Sequence, residues 1–284
     1  MYEVGIFRPL DGPWDHSSFL TSFARGVKEK GDNARVHNLE EGYQDCDVAV
    51  VFGLPKFSVP ASWARGSIIY EHRYRRKKNV LIMERGFIKR DTHYGVALNG
   101  LNGLGDFGSK DSPADRWNRL GAEIKPWRPP NEDGYFLLCG QVPWDATVQH
   151  TKHAQWCQAA FKAIQGEGHK VRFRPHPDVK EYDYGLEASK ASWEEDLDGA
   201  NAVVTFSSTS SALAVLEGIP IFALDRGSIA YQIANQELSP ETLAVPGLAF
   251  RDQWAWDLAY SQWTEEEMAG GQPWEQLRSA MSAS

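Results

Sequence analysis

Short apolar runs alternate with longer amphipathic stretches in the first half of the chain. The apolar runs predict strands, and the amphipathic stretch 14–30 predicts a helix. Because strands that are apolar on both faces are typical of parallel sheets covered by helices, this half is predicted to form an α/β unit. The predicted strands are YEVGIF, ARVHNL, DVAVVFGL, GSIIYE and NVLIMERGF, at 2–7, 34–39, 47–54, 66–71 and 79–87.

The same alternation begins again after a Pro-rich polar segment at 125–134, KPWRPPNEDG. Before this segment, a Gly/Asn-rich loop beginning at Asp91 leads to a helix that we expect to begin near Pro113. After it, the pattern predicts four strands, GYFLLCG, KVRFRPHP, NAVVTF and IPIFAL, helices at 145–165 and 208–217, and a helical tail at 252–281. We therefore predict two Rossmann-like domains, 1–130 and 131–284, each with a parallel sheet, the second including the C-terminal helices.

Composition favours a soluble protein of the cytoplasm. Hydrophobic residues make up 42% of the 284 residues, and no apolar run approaches the roughly 20 residues of a membrane span. The first residues lack the basic-then-apolar order of a signal peptide. Cys46, Cys139 and Cys157 are odd in number and widely spaced, which argues against disulfides and for a reducing compartment.

Charge is divided unequally between the two halves. Residues 1–130 carry 20 Lys and Arg against 16 Asp and Glu, whereas 131–284 carry 10 against 22. The segment 71–90 holds eight basic and two acidic residues. Such a segment is either an ordinary solvated surface or a surface that binds a polyanion. For the second possibility, the candidate nucleic-acid-binding residues are Arg73, Arg75, Arg76, Lys77, Lys78, Lys89 and Arg90.

Several short motifs are poorly placed for the chemistry they suggest. The D-x-D motifs at 45–47 and 196–198 precede their strands, which is the wrong end of a parallel sheet for a metal site. The Gly-rich stretch 103–108 is followed by SKDSP rather than by a helix, which argues against a dinucleotide fold. His150, His153 and Cys157 share one helix face, a poor geometry for tetrahedral zinc, so no metal is expected. Phe206 and Thr209 flank Ser207 and Ser208 without the glycines of a hydrolase nucleophile turn.

Polar side chains follow all four predicted strands of the second half. Ligands of parallel α/β sheets bind beyond the carboxyl ends of the strands, so this edge is the predicted site. Five hydroxyl residues, 207–211, stand at the start of a predicted helix that needs only one of them as a cap, which favours a phosphate site. The candidate binding residues are Gln141, Arg174, His176, Ser207, Ser208, Thr209, Ser210, Glu217, Arg226 and Ser228.

Two of these stretches, RPHP and SSTSSALAVLEGIPIF, resemble the His-Pro and Ser-rich motifs of bacterial sialyltransferases, Kdo-type capsule transferases and CDP-glycerol transferases. The similarity covers roughly 135–230 and implies a GT-B fold, in which two Rossmann-like domains with parallel sheets face each other across a cleft. It also implies that the His and hydroxyl residues hold the phosphate of a nucleotide-sugar, UDP- or CMP-linked, as co-substrate. In the first half, the stretches ERGFIKRDTHYGVALNGLNGLGDF and SPADRW look like phage-encoded proteins often assigned as glycosyltransferases. Some phage enzymes of that kind decorate hydroxymethylated bases in DNA, so this resemblance implies DNA modification in the host cytoplasm.

This resemblance implies a metal-independent glycosyltransferase. Its donor site would stabilise the charge that develops on the leaving phosphate, and His176 could also protonate that phosphate. A base for the acceptor hydroxyl is expected in the loop after the first strand, where the candidates are Asp11, Asp15 and His16; Asp91 and Asp106 are alternatives. Position 209 is Thr, so the E-x7-E pattern of retaining enzymes is missing before Glu217, and the stereochemistry stays open.

Three possibilities stay open for the acceptor and the reaction. A hydroxymethylated base in phage DNA fits the basic segment of the first half, because DNA phosphates attract Lys and Arg. A surface polysaccharide or a teichoic-type polymer fits the same charge. A nucleotide-sugar epimerase of the same fold would need the donor site but no basic acceptor surface. The sequence does not determine the oligomeric state.

Overall fold

The computed structural model describes residues 1–9, 17–59 and 62–283. The chain divides into two compact units, one of Met1–Gly121 with Ala255–Ser284 and the other of Ala122–Trp254. The predicted boundary was at residue 130, whereas the two units divide after Gly121. The last helices of the chain group with the first unit, although they were predicted to belong to the second. None of the described helices is both long enough and apolar enough to cross a lipid bilayer.

The described part of the chain contains the following elements. The strands are β1 (Glu3–Arg8), β2 (Asn33–Asn38), β3 (Val48–Phe52), β4 (Asn79–Arg85), β5 (Tyr94–Leu98), β6 (Tyr135–Cys139), β7 (Val171–Arg174), β8 (Ala200–Thr205), β9 (Ile221–Ala223) and β10 (Gln262–Trp263). The helices are α1 (Ser17–Glu29), α2 (Trp63–Ile69), α3 (Asp115–Leu120), α4 (His153–Gly166), α5 (Trp193–Asp198), α6 (Ser210–Leu216), α7 (Pro240–Ala244), α8 (Asp252–Ala259), α9 (Glu265–Ala269) and α10 (Gln272–Ala283).

The sheet of the first unit has the order β10-β5-β4-β3-β1-β2. Strands β2, β1, β3 and β4 are parallel, as predicted, whereas β5 and β10 are antiparallel to their neighbours. Strand β5 lies inside the segment that was predicted to be a loop, and β10 lies inside the predicted helical tail. The sequence missed both because β5 follows a Gly-containing turn and β10 has only two residues.

One predicted strand of the first unit is wrong. The segment GSIIYE lies in α2 and in the π-helix Tyr70–Arg75 that continues it. Ile68 and Ile69 are buried. A short apolar run buries its side chains equally well on one face of a helix, so periodicity alone does not separate the two structures.

The first unit has two core clusters, one that includes Ile68 and Ile69 of α2 and one that includes α1 and the C-terminal helices. Leu20, Phe23 and Val27 of α1 are fully buried at helical spacing, and Trp274 of α10 is fully buried in the same cluster. The indole N–H of Trp274 donates to a carboxylate oxygen of Asp32 at 2.9 Å. The helical tail is therefore part of the hydrophobic core of this unit.

The sheet of the second unit has the order β7-β6-β8-β9 and is parallel throughout, which confirms the predicted parallel sheet. Its core includes Phe136, Leu138, Phe173, Val204 and Phe222, all buried. Helix α4 begins at His153 rather than near residue 145, and turns occupy the segment before it. Because all four strands are parallel, the residues that follow them lie along one edge.

Candidate functional site

The candidate site is the carboxyl edge of the sheet in the second unit. Gln141 follows β6, His176 follows β7, Ser207 follows β8, and Arg226 follows β9. Strands β7 and β8 flank β6, so the ends that carry His176 and Ser207 are two strand spacings apart, about 10 Å. Gln141 lies at the end of the strand between them. This edge therefore collects four of the ten predicted binding residues, one from each strand end.

Gln141 and Ser207 form a two-point contact at this edge. The backbone N–H of Ser207 donates to Oε1 of Gln141 at 2.8 Å, and Nε2 of Gln141 donates to Oγ of Ser207 at 3.3 Å. Nε2 also donates to Oγ1 of Thr147 at 3.3 Å. Both Gln141 and Ser207 are buried. Their side chains therefore join the loop after β6 to the loop after β8 rather than facing solvent.

Two residues that the sequence did not suggest hold the backbone of Gln141. The N–H of Gln141 donates to Nε2 of His153 at 2.9 Å, and its carbonyl accepts a hydrogen bond from the hydroxyl of Tyr184. Burial lowers the pKa of His153 to about 4, so this imidazole is neutral near neutral pH with its proton on Nδ1. His153 was considered in the sequence only as a zinc ligand, and its tertiary contact has no local signature.

The hydroxyl cluster divides into a buried and a partly exposed set. Ser211 is fully buried and contacts Oγ of Ser228 at 3.1 Å, and its own hydroxyl donates to the carbonyl of Ser208 at 2.7 Å. Ser208, Thr209 and Ser210 are partly exposed. Oγ of Ser208 accepts from the N–H of Ser210 at 3.2 Å and from its hydroxyl at 2.9 Å. Thr209, the residue before α6, makes no side-chain capping bond.

Helix α6 is shorter than predicted and has seven residues. Its dipole is correspondingly small, since the effect is confined to the terminal turns. Anion binding at this edge therefore depends mainly on the partly exposed hydroxyl groups of Ser208, Thr209 and Ser210. The excess of hydroxyl residues is explained in part by tertiary contacts, because Ser207 and Ser211 are used to join neighbouring loops.

His176 stands at the break after β7, between Pro175 and Pro177, as predicted. Its Nδ1 accepts the backbone N–H of Asp178 at 3.2 Å, which starts the short 3-10 helix Pro177–Val179. This bond places the proton of the neutral imidazole on Nε2. The carboxylate of Asp178 lies 3.8 Å from Nδ1. His176 can therefore donate a hydrogen bond or a proton from Nε2.

Arg174, one of the predicted binding residues, is engaged in an ion pair within the second unit. Its guanidinium binds Asp196 at 2.6 Å and the carbonyl of Ala191 at 2.8 Å. Asp196 is fully buried and also accepts from Arg172 at 3.1 Å and from Ser189 at 2.7 Å. A buried carboxylate requires such partners, so Arg174 serves as a counterion inside the unit.

The structure separates Glu217 from the hydroxyl cluster. Glu217 follows the C-terminal end of α6, about 10 Å along the helix from Ser210. Its carboxylate pairs with Lys125 at 2.6 Å and with Arg128 at 3.3 Å. Glu217 therefore fixes the segment that leads into the second unit. The hydroxyl of Ser228 contacts the cluster through the hydroxyl of buried Ser211. Arg226, two residues before Ser228, is exposed.

An aromatic pair at this edge was not predicted from the sequence. Trp144 follows β6 and Tyr182 follows β7, and their ring centroids are 6.0 Å apart in an edge-to-face arrangement. Both rings are partly exposed, although large aromatic side chains normally bury most of their area. Tyr182 also packs against Tyr184, the residue that holds Gln141.

The predicted catalytic residues of the first unit cannot be placed. Asp11, Asp15 and His16 lie outside the described residues. Of the alternatives, Asp106 accepts the N–H of Gly108 at 2.8 Å and pairs through its backbone with Leu98, which is a structural role. Asp91 lies in the turn between β4 and β5.

The basic segment of the first unit is partly neutralised. Arg75 and Arg76 each bind Glu71 at 3.0 Å, and Arg76 and Lys78 each bind Asp45 at 3.1 Å. Arg90 donates to the carbonyl of Gly86, and burial lowers its pKa. The cationic charge available to a polyanion is therefore smaller than the sequence suggests. Three candidates remain, exposed Lys77 and Lys89 and half-buried Arg73.

The chain has the two-unit α/β fold of GT-B glycosyltransferases, which is the predicted fold class. Among solved structures, the Thermosulfurimonas dismutans KpsC β-Kdo 2,7 transferase aligns over 98% of this chain and 99% of its own, with a TM-score of 0.55 and 14% identity. The KpsC β-Kdo 2,4 transferase of the same organism aligns over 92% and 91%, with a TM-score of 0.55 and 11% identity. At these identities the similarity establishes the fold alone.

A third solved structure aligns along the chain but with a low TM-score. The Methanocaldococcus jannaschii UDP-GlcNAc 2-epimerase in complex with UDP-GlcNAc and UDP aligns over 99% of both chains at 14% identity. Its TM-score of 0.30 is too low to establish a common fold. Comparison with protein-family models gives no match, and neither does comparison with curated proteins.

Proposed function

We propose that this protein is a glycosyltransferase whose second unit binds a nucleotide-sugar donor at the carboxyl edge of its sheet. The observation that carries this proposal is the convergence of three partly exposed hydroxyl residues, Ser208–Ser210, with His176 two strand spacings away. About 10 Å is the scale of a diphosphate with its flanking groups, so hydroxyls and imidazole can contact opposite ends of one anion.

The proposed chemistry is stabilisation of the leaving nucleotide. As the bond between sugar and phosphate breaks, negative charge grows on the phosphate oxygen. The hydroxyl groups of Ser208 and Ser210 donate hydrogen bonds to that charge. His176 donates a hydrogen bond from Nε2, and in its imidazolium form it can transfer a proton to the departing phosphate and become a neutral imidazole. No step in this proposal uses a metal ion.

The aromatic pair gives the donor site a place for the nucleobase. Trp144 lies in the segment after β6 and Tyr182 in the segment after β7, the strands that carry Gln141 and His176 at their ends. A flat base gains stacking energy on an exposed ring face. The phosphate of a nucleotide would then contact the loop after β8, and its base would contact the loops after β6 and β7. The acceptor provides a hydroxyl group, and its class is taken up below.

Donor binding is tested by a thermal-shift panel of UDP-, GDP-, CMP- and CDP-linked sugars. A ligand that binds only the folded protein raises its unfolding temperature. We expect one donor class to stabilise the protein, and a Ser208→Ala, Ser210→Ala double variant to lose most of that shift. A Gln165→Ala variant, changed on the exposed face of α4, is the matched control. Absence of a shift with every donor would refute the proposal.

The reaction is tested by following the donor after incubation. Transfer releases free nucleotide when an acceptor is added, whereas epimerisation interconverts the sugar without releasing nucleotide. We expect release that depends on the acceptor. An interconverted sugar in the absence of acceptor would establish the epimerase alternative instead.

A further inference from the structure

The first unit carries an open groove of about 730 Å³ along α2 and the π-helix that follows it. Four of its nine lining residues are aromatic, and the lining comes from three segments, the loop before β3, the loop after β3 and the helix itself. The aromatic side chains are Tyr43, Phe57, Trp63 and Tyr70, and the polar ones include Glu71 and Arg75. The donor-site residues belong to the other unit and contribute nothing to it.

These aromatic side chains are unusually exposed. Phe57, Trp63, Tyr70 and nearby Tyr74 are each at least 57% exposed. The rings of Tyr70 and Tyr74 lie 6.2 Å apart with an interplanar angle of 33°. Single exposed apolar residues are common on soluble proteins, but a contiguous exposed group that lines a concave surface marks a binding site.

The groove lies on a basic segment of an acidic protein, and Arg73 and Lys77 of this segment are not among the residues that Glu71 and Asp45 neutralise. The segment 70–78 carries five Lys and Arg residues against Glu71 alone, while the whole chain has a net charge of −8. Arg75 lines the groove, Arg73 lies in the same π-helix, and Lys77 follows that helix. A ligand that complements this surface has ring faces and scattered negative charge.

Ion pairs hold the polar groups of the groove in place without a ligand. Glu71 accepts from Arg75 and Arg76, each at 3.0 Å. The guanidinium of Arg76 also lies 4.8 Å from the ring centroid of Tyr43, whose hydroxyl contacts Nδ1 of His72 at 2.9 Å. A planar carboxylate and a planar guanidinium held this way present paired hydrogen-bonding groups beside aromatic faces.

We infer that this groove binds an acidic saccharide chain, as part of the acceptor of the proposed transferase. Pyranose rings present apolar C–H faces that pack on aromatic rings, their hydroxyl groups hydrogen-bond with Glu71 and Arg75, and their carboxylate or phosphate groups complement the basic segment. The inference rests on the proposed function, because a polymer of sugars is an acceptor only if the protein transfers sugar.

Two other occupants fit less well. Nucleic acid carries one charge per phosphate, and proteins that bind it tightly present dense unpaired cationic charge. Here Arg75, Arg76 and Lys78 already share two carboxylates. A membrane surface is bound by side chains that protrude, whereas these aromatic residues line a concavity.

The inference is tested by affinity electrophoresis of the full chain in gels that contain polysialic acid, hyaluronan or neutral dextran. We expect retardation by at least one acidic polymer and little by dextran. A Trp63→Ala, Tyr70→Ala double variant should bind about tenfold or more weakly, since exposed aromatic anchors dominate binding of this kind. Arg75→Gln should weaken binding to the acidic polymer. Phe250→Ala, which removes an equally exposed aromatic ring outside the groove, is the matched control.

Two parallel measurements decide between the occupants. Binding of a single-stranded dT20 oligonucleotide, or of vesicles of phosphatidylglycerol and phosphatidylcholine, that is lost in the same double variant would overturn the saccharide assignment. So would equal binding of all polymers by the wild type and the double variant, or no binding at all. The thermal shift with nucleotide-sugar donors should be unchanged in the groove variants, so failure of this inference is distinguishable from failure of the donor proposal.

Discussion

The side chain of Gln141 bonds both the backbone N–H and the hydroxyl of Ser207, at 2.8 and 3.3 Å. One buried amide thereby joins the loop after β6 to the loop after β8, and the exposed hydroxyl residues begin directly after this contact. The amide itself is held by His153 and Tyr184 through the backbone of Gln141. The geometry of the proposed phosphate site therefore depends on a buried network behind it.

Replacing Gln141 by Leu tests this dependence. The change keeps the volume but leaves the buried N–H of Ser207 without its acceptor, which costs about 1–3 kcal/mol. We expect the free energy of unfolding to fall by that amount and donor affinity to fall with it. Chemical unfolding and donor titration calorimetry measure the two effects. Gln165→Leu, on the exposed face of α4, is the control. A normal donor affinity in Gln141→Leu would show that donor binding does not depend on the buried network.

The hydroxyl cluster predicts opposite effects for its two sets. Ser208→Ala and Ser210→Ala remove partly exposed hydroxyl groups, so we expect weaker donor binding with stability within about 0.5 kcal/mol of the wild type. Ser211→Ala removes a fully buried hydroxyl that bonds Ser228 and Ser208, so stability should fall by about 1 kcal/mol. Donor titration and urea unfolding of the same samples check this. If Ser211→Ala alone weakened donor binding, the assignment of the two sets would be reversed.

We expect substitution of Arg174 to lower the free energy of unfolding rather than the affinity for the donor. Arg174→Gln removes one of two guanidinium partners of buried Asp196, and Asp196→Asn removes the charge that both arginines share. We expect Asp196→Asn to lower the free energy of unfolding by about 2–4 kcal/mol, and Arg174→Gln by less. Donor affinity should change by less than about twofold in Arg174→Gln.

The control for this pair is Arg172→Gln, which removes the more exposed partner of the same carboxylate. A large loss of donor affinity in Arg174→Gln, with normal stability and no loss in Arg172→Gln, would restore the role that the sequence suggested for Arg174.

Protonation of His153 predicts acid sensitivity. The folded pKa of about 4 lies below the ordinary value of 6.5, so the unfolded chain binds more protons between these values and stability is lost as the pH falls from about 6.5 toward 4. Between pH 6.5 and 5 this loss amounts to about 2 kcal/mol. Above pH 6.5 the contribution is fully present.

A His153→Gln variant tests this origin. Gln can still accept from the N–H of Gln141 but does not titrate, so the decline in stability between pH 6.5 and 5 should become shallower. Unfolding curves at pH 7, 6 and 5 measure the difference. His72 and His93, whose pKa values burial also lowers, remain in the variant and account for the slope that is left. An unchanged slope would show that His153 does not titrate in this range.

Local pattern predicted the elements of the second unit well. All four of its strands overlap predicted strands, β6 and β7 are followed directly by Gly140 and Pro175, and the carboxyl edge of the sheet was predicted from the sequence. The same reasoning failed at 66–71, where Ile68 and Ile69 are buried by a helix rather than by a strand. It did not predict the ion pairs of Arg174 and Glu217, because which carboxylate or guanidinium a side chain meets depends on residues distant in the sequence.

The sequence by itself determined the two α/β units, the parallel sheet of the second unit and the carboxyl edge at which His176 and the hydroxyl residues stand. These follow from hydrophobic periodicity and from chain breakers, which act over a few residues. Only the tertiary structure decided which hydroxyl residues are buried, that Arg174 pairs with Asp196, that β10 completes the first sheet, and that exposed aromatic residues line a groove. Those outcomes depend on packing between segments far apart in the chain, where burial and partner geometry outweigh local preference.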